Sequence, residues 1–398
     1  MIDRSIAHSP ARITLSAFLA LAVAMGIGRF AFTPLLPMMM NDSVLNGSGL
    51  SLAEGGWLAT GNYIGYLLGA LTAARLPAKH TGAFLRGSLL AVIITTALMA
   101  WSSHFAAWLL WRTLAGVASA WILVQASAWA LQELARLQRN DLSHRIFAGV
   151  GTGITLTGLL VLVLSALHAD ASLAWQLCGV LALGLSAVAW SGLPVKTQVA
   201  PTVGTDRSAF DARDRRFILC YGLYGLGYII PATFLPALAR EAMPDPLLFN
   251  WVWPVFGTVA LIGTLFVGRM RNRWTPLGIW SGSHLIMGAG VAILVLPHSM
   301  PAILISALCV GSTFIVVTLA GFQAVRDAAA SAASSSAAHA TRLIAAMTAA
   351  FAAGQIAGPL LLAWSQPRWG VNPSLLLAAT ALLWSGVALW RIPRIAKA

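Results

Sequence analysis

Residues 26–37 read GIGRFAFTPLLP and lie inside an apolar run from Ile13 to Met40 that carries one charge, Arg29. An arginine at the centre of a membrane helix costs about 3 kcal/mol on insertion scales, so one kept there has work to do. Its neighbours are as informative as the charge. Gly26 and Gly28 let another helix approach closely. Pro34 and Pro37 each remove a backbone donor and bend a helix. The stretch therefore reads as a membrane helix with a polar feature inside it.

The composition of the whole chain agrees. Of 398 residues, 58% are hydrophobic and 9% charged, against about 25% charged in soluble domains. Such a chain cannot cover itself with a polar surface. Twelve apolar segments follow one another, at 12–39, 52–74, 84–102, 105–132, 146–167, 173–192, 216–239, 250–268, 276–296, 302–325, 343–365 and 375–391. A membrane helix needs about 20 apolar residues, and most segments meet that length. The fold class is all-α integral membrane with twelve transmembrane helices. The first segment is too long for a cleaved signal and no small-residue cleavage site ends it. Cys178, Cys220 and Cys309 sit in apolar segments without metal or disulfide spacing and read as small buried hydrophobes. No metal site and no cofactor are expected.

Twelve helices put both termini on one side. Of the 25 Lys and Arg, 21 then fall on that side, including Lys196, Arg207, Arg213, Arg215 and Arg216 in the long central connection. Arg240 and Arg368 fall on the other, and Arg29 and Arg112 lie inside helices. That asymmetry predicts cytoplasmic termini. It also accounts for the formal net charge of +13 through anionic headgroups rather than nucleic acid.

The central connection, 194–215, divides the chain into an N-terminal six-helix bundle (1–193) and a C-terminal one (216–398). The halves share a motif. YGLGYIIPATFLP at 224–236 matches the first helix when shifted by 199 residues: Gly26 meets Gly225, Gly28 meets Gly227, Leu36 meets Leu235 and Pro37 meets Pro236. A parallel repeat of six helices describes a two-bundle transporter with a central site. In that register Arg29 and Tyr228 are equivalent positions. Pro231 and Pro236 suggest a kink in the seventh helix matching that of the first, both belonging to an outer gate.

Three readings of Arg29 stand at this point: snorkelling to a headgroup, bonding of carbonyls freed near Pro34 and Pro37, and a cavity arginine that grips an anion. A planar fork suits carboxylate or phosphate. Arg112 lies nearer the outer surface, where snorkelling competes more strongly. Glu54, at the outer start of the second helix, is a possible charge partner or proton site, with a solvated carboxylate favoured by the helix dipole as its alternative. All five tyrosines fall on the second and seventh helices. Tyr221, Tyr224 and Tyr228 form one stripe, and Tyr63 and Tyr66 lie beside Asn62. With Thr33 these are candidates for lining a polar cavity. His284 reads as structural. Trp108, Trp111, Trp251 and Trp253 read as an interfacial belt. The segment AAASAASSSAAHAT at 328–341 reads as a flexible connection.

GIGRFAFTPLLPMM and ATGNYIGYLLGAL (59–71) resemble the YbfB/YjiJ branch of the major facilitator superfamily. RTLAGVASA (112–120) and GQIAGPLL (354–361) are similar to that superfamily's fourth and eleventh helices. The resemblance implies a transporter of the bacterial inner membrane and names no substrate. One departure is plain: residues 69–86, GALTAARLPAKHTGAFLR, lack the aspartate of the loop motif common in the superfamily. No phosphate loop, HExxH or Ser/His/Asp set points to an enzyme. Two in-membrane cations without a deep carboxylate favour a small organic anion as substrate, carried by a monomer in the lipid bilayer. The alternatives are efflux of neutral or apolar compounds, and a membrane sensor that does not transport.

Overall fold

The computed structural model describes residues 9–42, 49–73, 80–194, 209–242, 249–270, 273–296, 299–331 and 337–392. Of the basic residues in the charge count, Arg4, Arg75, Lys79, Lys196, Arg207, Arg271, Arg394 and Lys397 lie outside these.

Twelve long helices are described: α1 Pro10–Asn41, α2 Leu52–Ala73, α3 Thr81–Trp101, α4 Phe105–Arg136, α5 Ser143–Ala166, α6 Ala171–Trp190, α7 Ala212–Ala242, α8 Val252–Met270, α9 Pro276–Ala292, α10 Met300–Ser331, α11 Ala337–Trp369 and α12 Asn372–Trp390. Eleven are long and apolar enough to cross a membrane. The other, α2, has the length but carries Glu54, Asn62, two tyrosines and five glycines. We call the face holding the start of α1 and the end of α12 the near face, and the opposite one the far face.

Caps explain several starts. Ser51 and Glu54 bond each other's backbone N–H at the start of α2, and Asp211 and Asp214 do the same for α7. Each pair satisfies two donors that a helix start leaves free. Asp170 caps α6 and Thr275 caps α9. The connection expected at 328–341 is shorter than its composition suggests, because α10 runs on to Ser331 and α11 begins at Ala337. Alanine is the best helix former, and the alanines at both ends of the segment carry the two helices into it.

Helices α1–α6 pack on one another, as do α7–α12, and the two sets meet along α1–α7, α2–α11 and α5–α8. The repeated glycine acts alike in both halves. A Cβ on Gly26 would lie 2.4 Å from the Cα of Gly153 on α5, and one on Gly225 would lie 2.2 Å from the carbonyl oxygen of Phe351 on α11. Each first helix thus touches the fifth helix of its own bundle, backbone to backbone. The α5–α8 seam is as tight: a Cβ on Gly151 would meet Leu261 N at 2.4 Å, and one on Gly257 would meet Thr155 N at 2.4 Å.

Candidate functional site

The stretch around Arg29 is not a regular helix. It is α-helical over Pro10–Leu21, a π-helix over Ala22–Ile27, a turn at 28–31, and α-helical again over Phe32–Asn41. Gly28 and Phe30 donate to the carbonyls five residues back, Val23 at 2.9 Å and Met25 at 3.0 Å. Thr33 then donates to Phe30 at 3.1 Å, and Pro34 has no N–H to give. The ladder slips by one residue, which turns the following side chains by about 100° round the axis. The break lies before Pro34, and α7 runs through Pro231 and Pro236 as one helix. The first helices of the two bundles thus differ: α1 is broken and α7 is continuous. The difference lies in what α4 supplies.

Arg112 supplies it. Its Nη1 donates to Gly28 O at 3.2 Å and its Nη2 to Arg29 O at 3.0 Å. Asn62 Nδ2 donates to Gly28 O at 3.4 Å and to Arg112 O at 2.8 Å. Gly28 O and Arg29 O are the carbonyls the slipped ladder leaves free. Unsatisfied, each would cost about 1–3 kcal/mol. Arg112 is buried, so it does not snorkel. It and Asn62 form a clamp on α1 from α4 and α2, which spends most of the polar capacity expected at the substrate or gate.

Arg29 is placed differently. It is 1% exposed. Its guanidinium carbon lies 4.3 Å from the ring centre of Tyr66, 4.9 Å from Tyr63 and 5.3 Å from Phe30. Its Nη2 donates to the Tyr228 hydroxyl at 3.4 Å, while Nε and Nη1 have no hydrogen-bond partner among the described residues. No carboxylate pairs with it there. Three ring contacts at about 1 kcal/mol each match the roughly 3 kcal/mol cost of placing the charge in the membrane. The aromatic cage holds the cation without consuming its remaining N–H groups.

Around this cage the candidates separate. Tyr228 also takes a hydrogen bond from Gln355 Nε2, leaving Gln355 Oε1 unpartnered. Tyr63 shares a 2.7 Å hydrogen bond with Thr233 across the bundles. Tyr224 donates to Phe314 O at 2.5 Å and Tyr221 to Thr318 Oγ1 at 3.2 Å, so both hydroxyls are committed to α10. Glu54 is a correction: its carboxylate takes the N–H and hydroxyl of Ser51 at 2.8 and 2.7 Å and belongs to a helix cap. His284 is buried between Trp280 and Ser385. Trp253 is another correction. It is 1% exposed, stacks on Phe256 at 4.8 Å and faces Phe30 at 6.2 Å. Trp108 is also buried, donating to Met99 O, whereas Trp251 is exposed.

Gln355, Thr233 and Phe314 were missed by sequence reasoning, and Trp253 was misread. Gln355 had a signal: a lone amide in an apolar helix needs a partner inside the protein. The aromatic rings had none, since an apolar ring facing a cavity and one facing lipid are spelled alike.

Toward the far face the two bundles are tied together. Thr33 Oγ1 donates to Ala232 O at 3.0 Å, and Arg240 donates to Pro37 O at 3.3 Å and to the Asn41 side chain. A Cβ on Gly56 of α2 would touch Pro359 O and Ala363 of α11 at 3.3 Å. Every one of these contacts lies on the far side of Arg29, so the far half of the α1–α7 and α2–α11 seams is closed.

No curated protein sequence matches the chain. Among solved structures it is similar to a mutant of the nucleoside transporter NupG, at 14% identity with a TM-score of 0.71 over 96% of this chain and 98% of that one. It is also similar to the human organic anion transporter MFSD10 (TETRAN), at 16% identity with a TM-score of 0.65 over 96% of this chain and 100% of that one. Both likenesses are of fold. The family described as uncharacterised MFS-type transporter YbfB matches residues 21–390. The chain belongs to this family of the major facilitator superfamily and is a multi-pass membrane transporter, not an enzyme.

Proposed function

We propose that the protein carries a small organic anion across the bacterial inner membrane as a monomer, by rocking its two bundles about the Arg29 site. The observation that carries this reading is the two unpartnered nitrogens, Nε and Nη1, of a buried arginine with no carboxylate partner among the described residues. Nε and Nη1 face different edges of the guanidinium, so each is left to offer its own charge-assisted hydrogen bond to an oxygen of a bound carboxylate or phosphate. With both termini cytoplasmic, as the loop charges favour, the near face is the cytoplasm. The α1–α7 and α2–α11 seams are then closed toward the periplasm, and the cycle we propose opens the buried site to the inside first. The two structural neighbours carry different cargo by name, a nucleoside and organic anions, so the fold does not choose the substrate and the arginine must.

A second reading rests on the rings beside the cage. Phe30, Trp253, Phe256 and Phe314 adjoin one another at 4.8 to 6.2 Å, a wall suited to a neutral aromatic compound. Thermal unfolding of the purified protein against a charge-sorted compound panel separates the two. A ligand raises stability by about 2.7 kcal/mol at a hundredfold excess over its Kd. The anion reading expects carboxylates or phosphates to stabilise the wild type and not Arg29→Ala. Stabilisation by neutral or cationic apolar compounds alone would replace it with efflux of such compounds.

A further inference from the structure

On the near face, outside the C-terminal bundle, α7 and α12 border a groove of about 490 Å³ lined by Arg216, Leu383, Trp384, Val387, Ala388 and Arg391. Trp384, Val387, Ala388 and Arg391 follow at i, i+3, i+4 and i+7, so they form one stripe on α12. The stripe spans about 10 Å along the helix and ends in the arginine. Trp384 and Val387 are exposed, on a helix that faces lipid in a membrane-embedded chain. Arg216 stands opposite, in the first turns of α7.

The charges at the mouth of this groove are uncompensated. Neither Arg216 nor Arg391 has a carboxylate partner among the described residues. The acids nearest Arg216 in sequence are engaged elsewhere: Asp211 and Asp214 bond each other's backbone at the helix start, and Asp214 pairs with His339 of α11 at 2.8 Å. Two arginines therefore sit over an apolar floor about half a leaflet deep. A basic pocket between membrane helices on the cytoplasmic side suits a lipid phosphate, and a tryptophan at that depth belongs beside a headgroup.

We propose that Arg216, Arg391 and the Trp384 stripe form a binding site for one anionic phospholipid, its phosphate between the two guanidinium groups and an acyl chain along Trp384 and Val387. The site is on the lipid-facing side of the C-terminal bundle and does not depend on the substrate reading of Arg29.

The test is thermal unfolding of the full chain in detergent, titrated with phosphatidylglycerol, with phosphatidylcholine of the same chains, and with inorganic phosphate. Phosphatidylglycerol is expected to raise the unfolding temperature and phosphatidylcholine to do so weakly. In the Arg216→Gln/Arg391→Gln variant the half-saturating phosphatidylglycerol concentration should rise at least about tenfold. It should stay unchanged in Arg269→Gln, which removes an exposed near-face arginine outside the groove, and in Arg29→Met. Arg391→Lys, which keeps the charge, should lose less than Arg391→Gln. If the double variant is too unstable to melt cleanly, retained phosphatidylglycerol is counted by native mass spectrometry on Arg391→Gln, where loss of one bound lipid is expected. An equal response in wild type and double variant, an equal response to phosphatidylcholine, or a shift reproduced by inorganic phosphate alone would overturn the proposal.

Discussion

Arg29 and Tyr228, 199 residues apart and equivalent in the internal repeat, touch each other: Nη2 of the one donates to the hydroxyl of the other at 3.4 Å. The same offset recurs at Thr33 with Ala232 and at Asn41 with Arg240. Equivalent positions meet when two like elements face each other across a two-fold axis, as in an isologous interface. Here the axis passes between α1 and α7. The halves have diverged at the residue that matters, a cation on one side and a phenol on the other, so the pair is a donor and an acceptor rather than two like charges.

On the function proposed above, Arg29 is dispensable for folding and needed for transport. Replacing Arg29 with Met removes two unpartnered donors, whose burial costs about 1–3 kcal/mol each, and gives up ring contacts worth about 1 kcal/mol each. The two nearly cancel. Arg29→Met is expected to unfold within about 1 kcal/mol of the wild type or later, while losing binding of any anion that stabilises the wild type. Thermal unfolding with and without that anion checks both halves. A clearly less stable Arg29→Met would show that the arginine is a structural tie.

Arg112 should behave in the opposite way. Its guanidinium satisfies two carbonyls in the slipped turn of α1, and among the described residues no side chain but Asn62 also reaches either of them. Arg112→Ala is expected to lower stability by about 3 kcal/mol or more, since it leaves buried acceptors orphaned. Arg112→Lys should recover part, because an ammonium reaches one carbonyl and lacks the fork for two. Equal unfolding midpoints for Arg112→Ala and Arg29→Met would contradict the division of labour between the two arginines.

How much of this was legible in the sequence follows from where each signal resides. A charge in an apolar run is a local signal, so Arg29 stood out at once. The repeat was legible because glycine and proline identities survive where backbones must approach, as at Gly26 and Gly225. The π-turn of α1 was not, because the slip is stabilised by carbonyl contacts from Arg112 on α4, and sequence order does not show that pairing. Arg112 was therefore read as a snorkelling or substrate-site arginine rather than as the support of α1. Trp253 was read as a belt residue for its place near a helix end, yet α8 starts low enough that its first turn is packed against Phe30. Glu54 carried its own answer in the spacing of Ser51 and Glu54, a capping box whose carboxylate is spent on its own helix.

Glycine substitutions test the backbone contact that the repeat preserves. Gly225→Ala puts a Cβ 2.2 Å from the Phe351 carbonyl oxygen, and Gly282→Ala meets nothing within 4 Å. Both replace a helix-interior glycine, which by itself favours alanine by up to about 1 kcal/mol. Gly282→Ala is expected to be neutral or stabilising. Gly225→Ala should destabilise by about 2 kcal/mol or more, as overpacking against backbone does. The unfolding midpoints of the two variants in one detergent decide it.

The far-face contacts predict a lock. Asn41 and Arg240 touch across the bundles, and the transport cycle proposed above requires them to part when the site opens to that side. In a background where Cys178, Cys220 and Cys309 are replaced, Asn41→Cys/Arg240→Cys is expected to be joined by a short thiol cross-linker. Joining should stop transport in proteoliposomes and leave the anion able to bind from the near face, because the cage around Arg29 is built below the lock. Reversing the cross-link should restore transport. Arg240→Ala should act the other way, weakening the closed state by the two hydrogen bonds it removes, about 1–3 kcal/mol, and raising the labelling rate of a far-face cysteine at position 33 by about tenfold. Transport that continues at full rate through the cross-link would mean that the far seam does not open during the cycle, and the rocking motion would have to be abandoned.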